Sequence, residues 1–271
     1  MTRKFKIMLS FDVDAETLWT AEDQLNGEGN ENKPVMLSQG YYGAEVAVPR
    51  FLRLLDKYEI KGTFFIPGAT VEKHPDMVKE IVKRGHEVGN HGYTHTCPPF
   101  FKSREQEVDE YVRTSEAIKK VTGEEPKGFR APSWEFSLHT MGILKDMGFF
   151  YDSTMMGSDK MGTLEVFGEK SDIVEIPINW TLDDAPFWLL SGFNWGAPML
   201  PPSSVYEVWT EEFQYLYEES LDNVFTLTCH PQISGRPARI RMYERIIQFL
   251  KGHPDVEFMR CIDAAEDFAG K

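Results

Sequence analysis

Short apolar runs and helical apolar patterns alternate along nearly the whole chain. The first run, KIMLSFDVD, predicts a buried strand, and GAEVAVPRFLRLLDKYEI, which begins at Gly43, has the periodicity of an amphipathic helix. The run KGTFFIPG predicts the next strand, and HPDMVKEIVKRG predicts a helix that ends at Gly85. Later strands are predicted in HEVGNHG, KGFRAPSW, FFYDST, DIVEIPIN, NVFTLTCHP and VEFMRC, and later helices over SREQEVDEYVRTSEAIKKVTG and near residues 138–147, 204–221 and 238–251.

Seven or eight strands joined by helical crossovers indicate a parallel sheet of the α/β class. The chain has 271 residues without a linker, a repeat or a change of composition, so we expect one domain over residues 1–271. A closed (β/α) barrel is the favoured architecture, and an open doubly wound sheet is the alternative. Two stretches are predicted to be long loops, residues 20–42 and, as a lid or binding loop, residues 181–203.

Composition and charge narrow the class of partner. Apolar residues make up 41% of the chain, which is typical of a globular protein, and the formal charge is −14. This charge argues against nucleic acid or an anionic membrane as a partner, because both bind clustered Lys and Arg. The first apolar run is broken by Asp12 and Asp14, which predicts a strand and no signal peptide, and no run approaches the roughly 18 apolar residues that span a bilayer. The three cysteines lack metal-like spacing, and we expect a reduced, cytoplasmic setting.

Side chains of the types used in catalysis all follow predicted strands. They are Asp12 and Asp14 after the first strand, His91 and His95 after the third, Arg130 after the fourth, Asp183 and Asp184 after a later strand, and His230 after FTLTC. In a parallel barrel the carboxyl ends of the strands form one face, where active sites are built. We therefore expect residues more than two hundred apart in sequence to converge there.

The DVD and HGYTH segments together have the residue types of an open metal site. Such a site takes three protein ligands in addition to water or substrate. If the chain makes a helical turn at HGYTH, His91 and His95 face the same way. Asp12 and Asp14, two apart in a strand, are expected on the same side of the sheet. One acid is expected to bind the metal while the other stays free as a base.

Each segment alone has an ordinary structural explanation. A D-x-D pair often forms a solvated turn or a helix cap, and His230 is also compatible with a structural histidine. HEVGNH does not match the H-E-x-x-H zinc pattern, because His86 and His91 are five apart. His74 and His253 precede prolines in predicted surface loops and receive no role. Two histidines and a carboxylate also occur in non-haem Fe(II) oxygenases, which the βα alternation and the additional acid–base pair disfavour.

Four motifs in this order and spacing, SFDVD, HGYTH, RAPSW and LTCHP, resemble the NodB-homology polysaccharide deacetylases, carbohydrate esterase family 4. GAEVAVPRFL, GHEVGNHGYTH, EIPINWTLDD and HPQISGRP resemble in particular a bacterial subgroup that contains peptidoglycan deacetylases and cofactor-independent allantoinases and cyclic imidases. The resemblance covers nearly the whole chain. It implies a distorted, TIM-like (β/α) barrel of seven or eight units and an enzyme that hydrolyses non-peptide carbon–nitrogen bonds.

The resemblance also implies roles for individual residues. The implied ligands of a divalent metal, zinc or alternatively cobalt or another divalent ion, are Asp14, His91 and His95. Asp12 is implied as the general base, Arg130 as the residue that orients it, and His230 as the general acid. The residues expected to contact substrate or to support His230 are Trp134, Trp180, Asp183 and Asp184.

In this chemistry a water activated by the metal attacks the carbonyl, Asp12 accepts a proton and His230 protonates the leaving nitrogen. We expect an N-deacetylase that acts on a small-molecule or oligosaccharide amide, since a cytoplasmic enzyme meets soluble amides such as an N-acetyl sugar. A cyclic amidase that opens an imide or ureide ring is the alternative. A catalytically inactive binding protein is disfavoured by the retention of Asp12 and His230. Relatives in the subgroup assemble as tetramers, which implies a homo-oligomer.

Overall fold

A curled sheet lies at the centre of the fold. The computed structural model describes residues 4–21, 32–189 and 199–270. Its strands are β1 (Phe5–Asp12), β2 (Thr63–Ile66), β3 (Glu87–Asn90), β4 (Gly128–Phe129), β5 (Tyr151–Asp152), β6 (Gly162–Val166), β7 (Glu169–Glu175), β8 (Val224–Cys229) and β9 (Val256–Met259). They are ordered β6-β7-β5-β4-β3-β2-β1-β8 across the sheet, and β9 pairs with β1 outside this path. All neighbours are parallel except β6 and β7, which form an antiparallel hairpin.

Helices form most of the connections between these strands. They are α1 (Thr17–Thr20), α2 (Pro34–Tyr42), α3 (Val48–Tyr58), α4 (Gly68–Lys73), α5 (Pro75–Lys83), α6 (Arg104–Thr122), α7 (Thr140–Met147), α8 (Ala185–Trp188), α9 (Pro202–Glu219), α10 (Pro231–Ser234), α11 (Pro237–Lys251) and α12 (Cys261–Ala269). The longest, α6, begins where the Ser103 side chain accepts the N–H of Gln106 and ends at Gly123 in the left-handed conformation. Among the described residues, no helix is long and apolar enough to cross a membrane.

The sheet is a half-barrel, and this confirms the predicted α/β class with a distorted, barrel-like sheet. A closed ladder of strands does not form in the described part of the chain. The two ends of the strand path approach each other only at single bridges, Lys160 with Asn223 and Asp183 with Thr228. Strands β4 and β5 are each only two residues long, so the sheet is narrow at these two strands.

The apolar core lies between β1 and the helices that cover it. Phe11 on β1 stacks on Phe64 of β2, with ring centroids 4.7 Å apart, and also contacts Phe51 of α3 and Tyr243 of α11. All four rings are fully buried. Burial of apolar surface is the main favourable contribution to folding, and this group of rings packs α3 and α11 against the central strands.

Part of the first predicted loop is helical. The stretch 20–42 is not a continuous loop, because Pro34–Tyr42 forms α2, which continues into a π-helix at Gly43–Ala47. Proline at the first helical position favours a helix start, and Gly40 packs against the backbone after β1, where a Cβ would lie 2.4 Å from the Glu16 nitrogen. In the stretch 181–203, residues 190–198 lie outside the described residues, so the predicted lid stays a prediction.

The predicted position of His74 is wrong. This histidine is 6% exposed, where a surface loop was expected. Its Nε2 lies 3.0 Å from Glu16 and its Nδ1 lies 3.1 Å from Glu45. The junction of α4 and α5 therefore packs against the chain after β1, and the two carboxylates satisfy the buried ring.

Candidate active site

Asp14, His91 and His95, which we call the ligand cluster, lie together just beyond β1 and β3. Oδ1 of Asp14 is 3.5 Å from Nε2 of His91 and 3.4 Å from Nε2 of His95, and all three side chains are buried. Burial alone would raise the pKa of Asp14, but the imidazoles of His95, His91 and His230 hold it well below its ordinary value. Asp14 is therefore a carboxylate that faces two ring nitrogens.

The two histidines converge through a loop after β3, and the helical turn on which their common direction was made conditional does not form. The side chain of Asn90, at the end of β3, accepts the N–H of Gly92 at 3.0 Å. A carboxylate oxygen of Glu110 from α6 accepts the N–H groups of Tyr93 and Thr94 at 2.9 and 2.8 Å. Gly92 has a φ of +67°, which favours glycine and does not continue a right-handed helix. The backbone N–H groups of this segment therefore donate to side chains and not to the carbonyls of a helix.

The ligand cluster fits a divalent cation. Oδ1 of Asp14 is buried and accepts no hydrogen bond from the described residues, which is unfavourable for a carboxylate without a cation nearby. The ring of His91 donates from Nδ1 to the carbonyl of Arg130 at 2.7 Å, which directs its Nε2 toward Asp14. Nitrogen and oxygen ligands about 2.0–2.2 Å from a tetrahedral zinc lie roughly 3.3–3.6 Å apart. The separations between Asp14 and the two histidines match this spacing.

Asp12 is held beside the ligand cluster by two donors. Nη1 of Arg130 donates to its Oδ1 at 2.8 Å, and Nε1 of Trp134 donates to its Oδ2 at 3.1 Å. The same Oδ2 lies 4.0 Å from Nε2 of His91. Arg130 is fully buried and is itself anchored by two hydrogen bonds of 2.9 Å to the carbonyl and hydroxyl of Ser153. Burial would raise the pKa of Asp12, but the Arg130 charge lowers it, so Asp12 is a carboxylate able to accept a proton.

His230, Asp183 and Asp184, which we call the acid cluster, lie next to the ligand cluster. Nδ1 of His230 is 2.7 Å from Asp184 and 3.2 Å from Asp183, and the backbone N–H of His230 also donates to Asp184. Nε2 of the same ring lies 3.7 Å from Asp14. Burial would lower the pKa of His230, but the two carboxylates raise it well above its ordinary value. Burial raises the pKa of Asp183 to about 6.

Two stacked tryptophan rings, Trp134 and Trp180, which we call the aromatic wall, lie beside Asp12. Trp134 and Trp180 stack with ring centroids 4.5 Å apart and an angle of 25° between their planes. Trp134 is buried, whereas Trp180 is 44% exposed. Within residues 4–21, 32–189 and 199–270, four of the six non-glycine residues with positive φ lie around the site, namely Ala15, His95, Ser133 and Trp134. Such conformations cost free energy and persist where the surrounding structure fixes them, as is common at active sites.

The structure brings every predicted site residue to this edge of the sheet, and it adds residues that the sequence did not indicate. Gln232 donates to Oδ2 of Asp14 at 3.1 Å, and the hydroxyl of Thr70 donates to the carbonyl of Asp14 at 2.8 Å. Gln232 follows His230 by two positions, so the sequence alone could have indicated that it lies near the site. Glu110 and Ser153 lie in an ordinary charged helix and a short loop, and neither carries a motif.

The sequence and the fold are both similar to those of known proteins. The family model described as Polysaccharide deacetylase matches residues 30–151. A peptidoglycan deacetylase of Helicobacter pylori is 34% identical over 99% of this chain and 97% of its own length. A protein from Mycobacterium smegmatis, assigned to the polysaccharide deacetylases, has a crystal structure that is 32% identical with a TM-score of 0.89, covering 99% of this chain and 91% of that one. The crystal structure of PuuE allantoinase, 23% identical over 98% of this chain and 90% of that one, has the same fold with a TM-score of 0.82.

Proposed function

Because this chain belongs to the polysaccharide deacetylase family and is similar over its length to a peptidoglycan deacetylase, we propose that it removes the acetyl group from an N-acetylated amino sugar with a divalent metal. One observation carries this proposal. A carboxylate, Asp12, and a protonated imidazole, His230, both flank the ligand cluster, Asp12 at 4.0 Å from His91 and His230 at 3.7 Å from Asp14. Amide hydrolysis needs a proton acceptor for water and a proton donor for nitrogen around one carbonyl.

The ligand cluster would hold the metal, and the donor set of two imidazole nitrogens and one carboxylate oxygen supports zinc, with cobalt as the alternative. When bound, the ion would polarise the scissile carbonyl and lower the pKa of a water molecule. Gln232 supports this donor set, because its side-chain amide donates to Oδ2 of Asp14 and so fixes the orientation of the carboxylate. His91 is fixed in the same way by the Arg130 carbonyl.

Asp12 acts as the general base in this proposal. Its two oxygens accept hydrogen bonds from Arg130 and Trp134, and these donors hold the carboxylate in one orientation. The Arg130 charge keeps Asp12 ionised and limits its strength as a base, so a proton taken from water is held briefly and released. Arg130 does not reach the substrate in this scheme, and it positions the base.

His230 acts as the general acid. Its Nδ1 faces the acid cluster carboxylates, which stabilise the imidazolium, while Nε2 is directed toward the ligand cluster. An amine leaves as a neutral molecule only if its nitrogen is protonated as the bond breaks. A histidine kept protonated by two buried carboxylates supplies that proton at neutral pH.

The aromatic wall is suited to a flat, weakly polar substrate face. The face of a sugar ring packs well on an indole, and Trp180 is exposed enough to meet it. The burial of the reacting groups favours a second candidate, the ring opening of a cyclic imide or ureide. Asp12, Asp14 and His91 are each no more than 1% exposed, which suits a small substrate better than the interior of a polymer.

The proposal is tested with purified protein loaded with zinc or cobalt. We expect acetate release from N-acetylglucosamine oligomers, and Asp12→Asn should lower kcat about 10³-fold while metal content stays unchanged. The exposed Glu135→Gln, on the same loop as Trp134, is the matched control. Ring opening of imides or allantoin without acetate release would select the second candidate. Full activity of Asp12→Asn would contradict the mechanism for both.

A further inference from the structure

A second pair of carboxyls lies behind the active site, at the ends of β5 and β7. Asp152 and Glu175 are paired in register on these neighbouring parallel strands, and both side chains are buried. One oxygen of each, Oδ2 of Asp152 and Oε2 of Glu175, receives no hydrogen bond from any donor group in the described residues. In-register residues of neighbouring strands point to the same side of the sheet, so the two carboxyls lie side by side, and each shifts the pKa of the other. A single proton between two neighbouring carboxyls would give both of these oxygens a hydrogen-bond partner.

Their surroundings indicate which carboxyl holds it. Burial raises the pKa of Asp152 to about 6, and burial together with the charge of Asp152 raises the pKa of Glu175 well above its ordinary value. The positive group that acts on the pair is Arg130, which lowers the pKa of Asp152. Of the two carboxyls, Glu175 is therefore the one that holds a proton more readily, and Asp152, which lies nearer the Arg130 charge, is the one that favours the ionised form.

The pair fixes the loop that anchors Arg130, the residue that positions Asp12. Oε1 of Glu175 accepts the N–H groups of Thr154 and Met155 at 3.3 and 2.9 Å. Oδ1 of Asp152 accepts the hydroxyl of Thr154 at 2.8 Å, and that hydroxyl oxygen accepts the N–H of Ala131 at 3.0 Å.

The neighbouring residues complete the path to the reacting groups. Ser153, which lies between Asp152 and Thr154, receives two hydrogen bonds from Arg130. Arg130 in turn donates to Asp12. The carboxyl pair is thus connected to the proposed base by hydrogen bonds and by the backbone of residues 152–155, and a displaced 152–155 segment would displace the guanidinium.

We propose that Asp152 and Glu175 are positioning residues which share one proton and thereby hold Arg130 in place against Asp12. The catalytic consequence rests on the proposed function, whereas the shared proton does not. With one proton, the two facing oxygens attract each other. With no proton the two oxygens repel each other, and with two facing O–H or NH₂ groups at least one donor has no acceptor.

Amide substitutions test the number of protons. Glu175→Gln places an NH₂ where the protonated oxygen was, and Asp152→Asn lets the pair keep one donor and one acceptor. We expect each single variant to keep kcat within about fivefold of the wild type at neutral pH. The double variant turns two NH₂ groups toward each other, and kcat should fall about 100-fold beyond the product of the single effects, with KM changed far less. Additive effects, or a single variant as damaged as the double, would overturn the proposal.

Two measurements need no substrate. The double variant should also lower the melting temperature by more than the sum of the two single variants. The infrared C=O band of a protonated carboxyl at neutral pH should disappear in Glu175→Gln and persist in Glu169→Gln, an exposed control on the same strand. An unchanged band in Glu175→Gln refutes the shared proton. If the band behaves as expected while no amide is hydrolysed by the wild type, the proposed function fails and the carboxyl pair stands.

Discussion

The ligand cluster and the acid cluster contain the same residue types, but their proportions are reversed. The ligand cluster has one carboxylate and two imidazoles, and the acid cluster has two carboxylates and one imidazole. Both groups are buried and compact enough to hold a cation, so residue type alone does not separate them. Their hydrogen bonds do separate them.

In the ligand cluster, Oδ1 of Asp14 receives no donor within the described structure, while the ring nitrogens that face it point at the same space. In the acid cluster, Asp184 accepts from both the ring and the backbone N–H of His230, and Asp183 lies 3.2 Å from the same ring nitrogen. Oδ2 of Asp183 also receives no donor from the described residues, but both carboxylates in this cluster face one ring nitrogen. Two carboxylates around one imidazole stabilise the protonated form of that imidazole. Two imidazoles around one carboxylate leave nitrogen and oxygen lone pairs that can bind a metal ion. The ratio of the two types therefore predicts a metal site in one case and a proton donor in the other.

The strongest test of this distinction removes one imidazole from the ligand cluster. His91→Ala should lose the bound metal, because two ligands remain, and kcat should fall by about 10³-fold or more. Metal content is measured by elemental analysis after zinc loading and gel filtration. His139→Ala, which alters an exposed histidine, is the control and should keep its zinc. Unchanged zinc in His91→Ala would remove His91 from the ligand set.

Removing the imidazole of the acid cluster should leave the metal and impair proton donation. His230→Gln should keep its zinc and lower kcat on an acetamido sugar about 10³-fold. On p-nitrophenyl acetate the loss should be less than about tenfold, because p-nitrophenolate leaves without a proton. Both rates are measured on the same preparation. Equal losses on the two substrates would show that His230 is not the general acid.

The two carboxylates of the acid cluster should differ in importance. Asp184 contacts the ring at 2.7 Å and the backbone N–H of His230 as well, whereas Asp183 contacts the ring at 3.2 Å. We expect Asp184→Asn to lower kcat about 100-fold and Asp183→Asn about tenfold or less, with KM nearly constant. Steady-state kinetics on the acetamido sugar measure both. A larger loss in Asp183→Asn would reverse the assignment of the supporting acid.

Much of this site was predictable, because the carboxyl ends of parallel strands converge whatever the loops do. Asp12, Asp14 and His230 follow strands whose apolar pattern is plain, and their position on one edge followed from topology. The path of the HGYTH segment did not follow, since it depends on Glu110 from a distant helix. The i, i+4 spacing was compatible with a helical turn, whereas the segment is a loop held by these side-chain hydrogen bonds.

Buried carboxyl contacts were equally inaccessible from sequence. Asp152 and Glu175 lie in FFYDST and DIVEIPIN, strands that the apolar pattern predicted, but nothing in either segment indicates that the two side chains pair. Their pairing depends on register between short strands, and register is set by the whole sheet. The same limitation applied to His74, whose burial comes from packing of segments that pattern analysis treats as unrelated.

His74 provides the smallest and sharpest test, because it repeats the composition of the acid cluster without its chemistry. It also has one imidazole and two carboxylates, but both ring nitrogens are occupied, by Glu16 and Glu45, so neither is directed at a substrate. Burial would lower the pKa of His74, but the two glutamates raise it above its ordinary value near 6.5. Stability from this charge is therefore fully present below pH 6.5 and is lost as pH rises through the raised pKa.

His74→Ala should consequently lower the free energy of unfolding by about 2 kcal/mol at pH 6 and by less at pH 9, with kcat within about threefold of the wild type. Denaturant unfolding at the two pH values measures the difference, and His139→Ala serves again as the exposed control. A loss of stability that is equal at both pH values would mean that the imidazole contributes by packing alone. A large loss of kcat would show that His74 contributes to catalysis although both of its ring nitrogens are occupied. Occupied ring nitrogens would then not separate a structural histidine from a catalytic one.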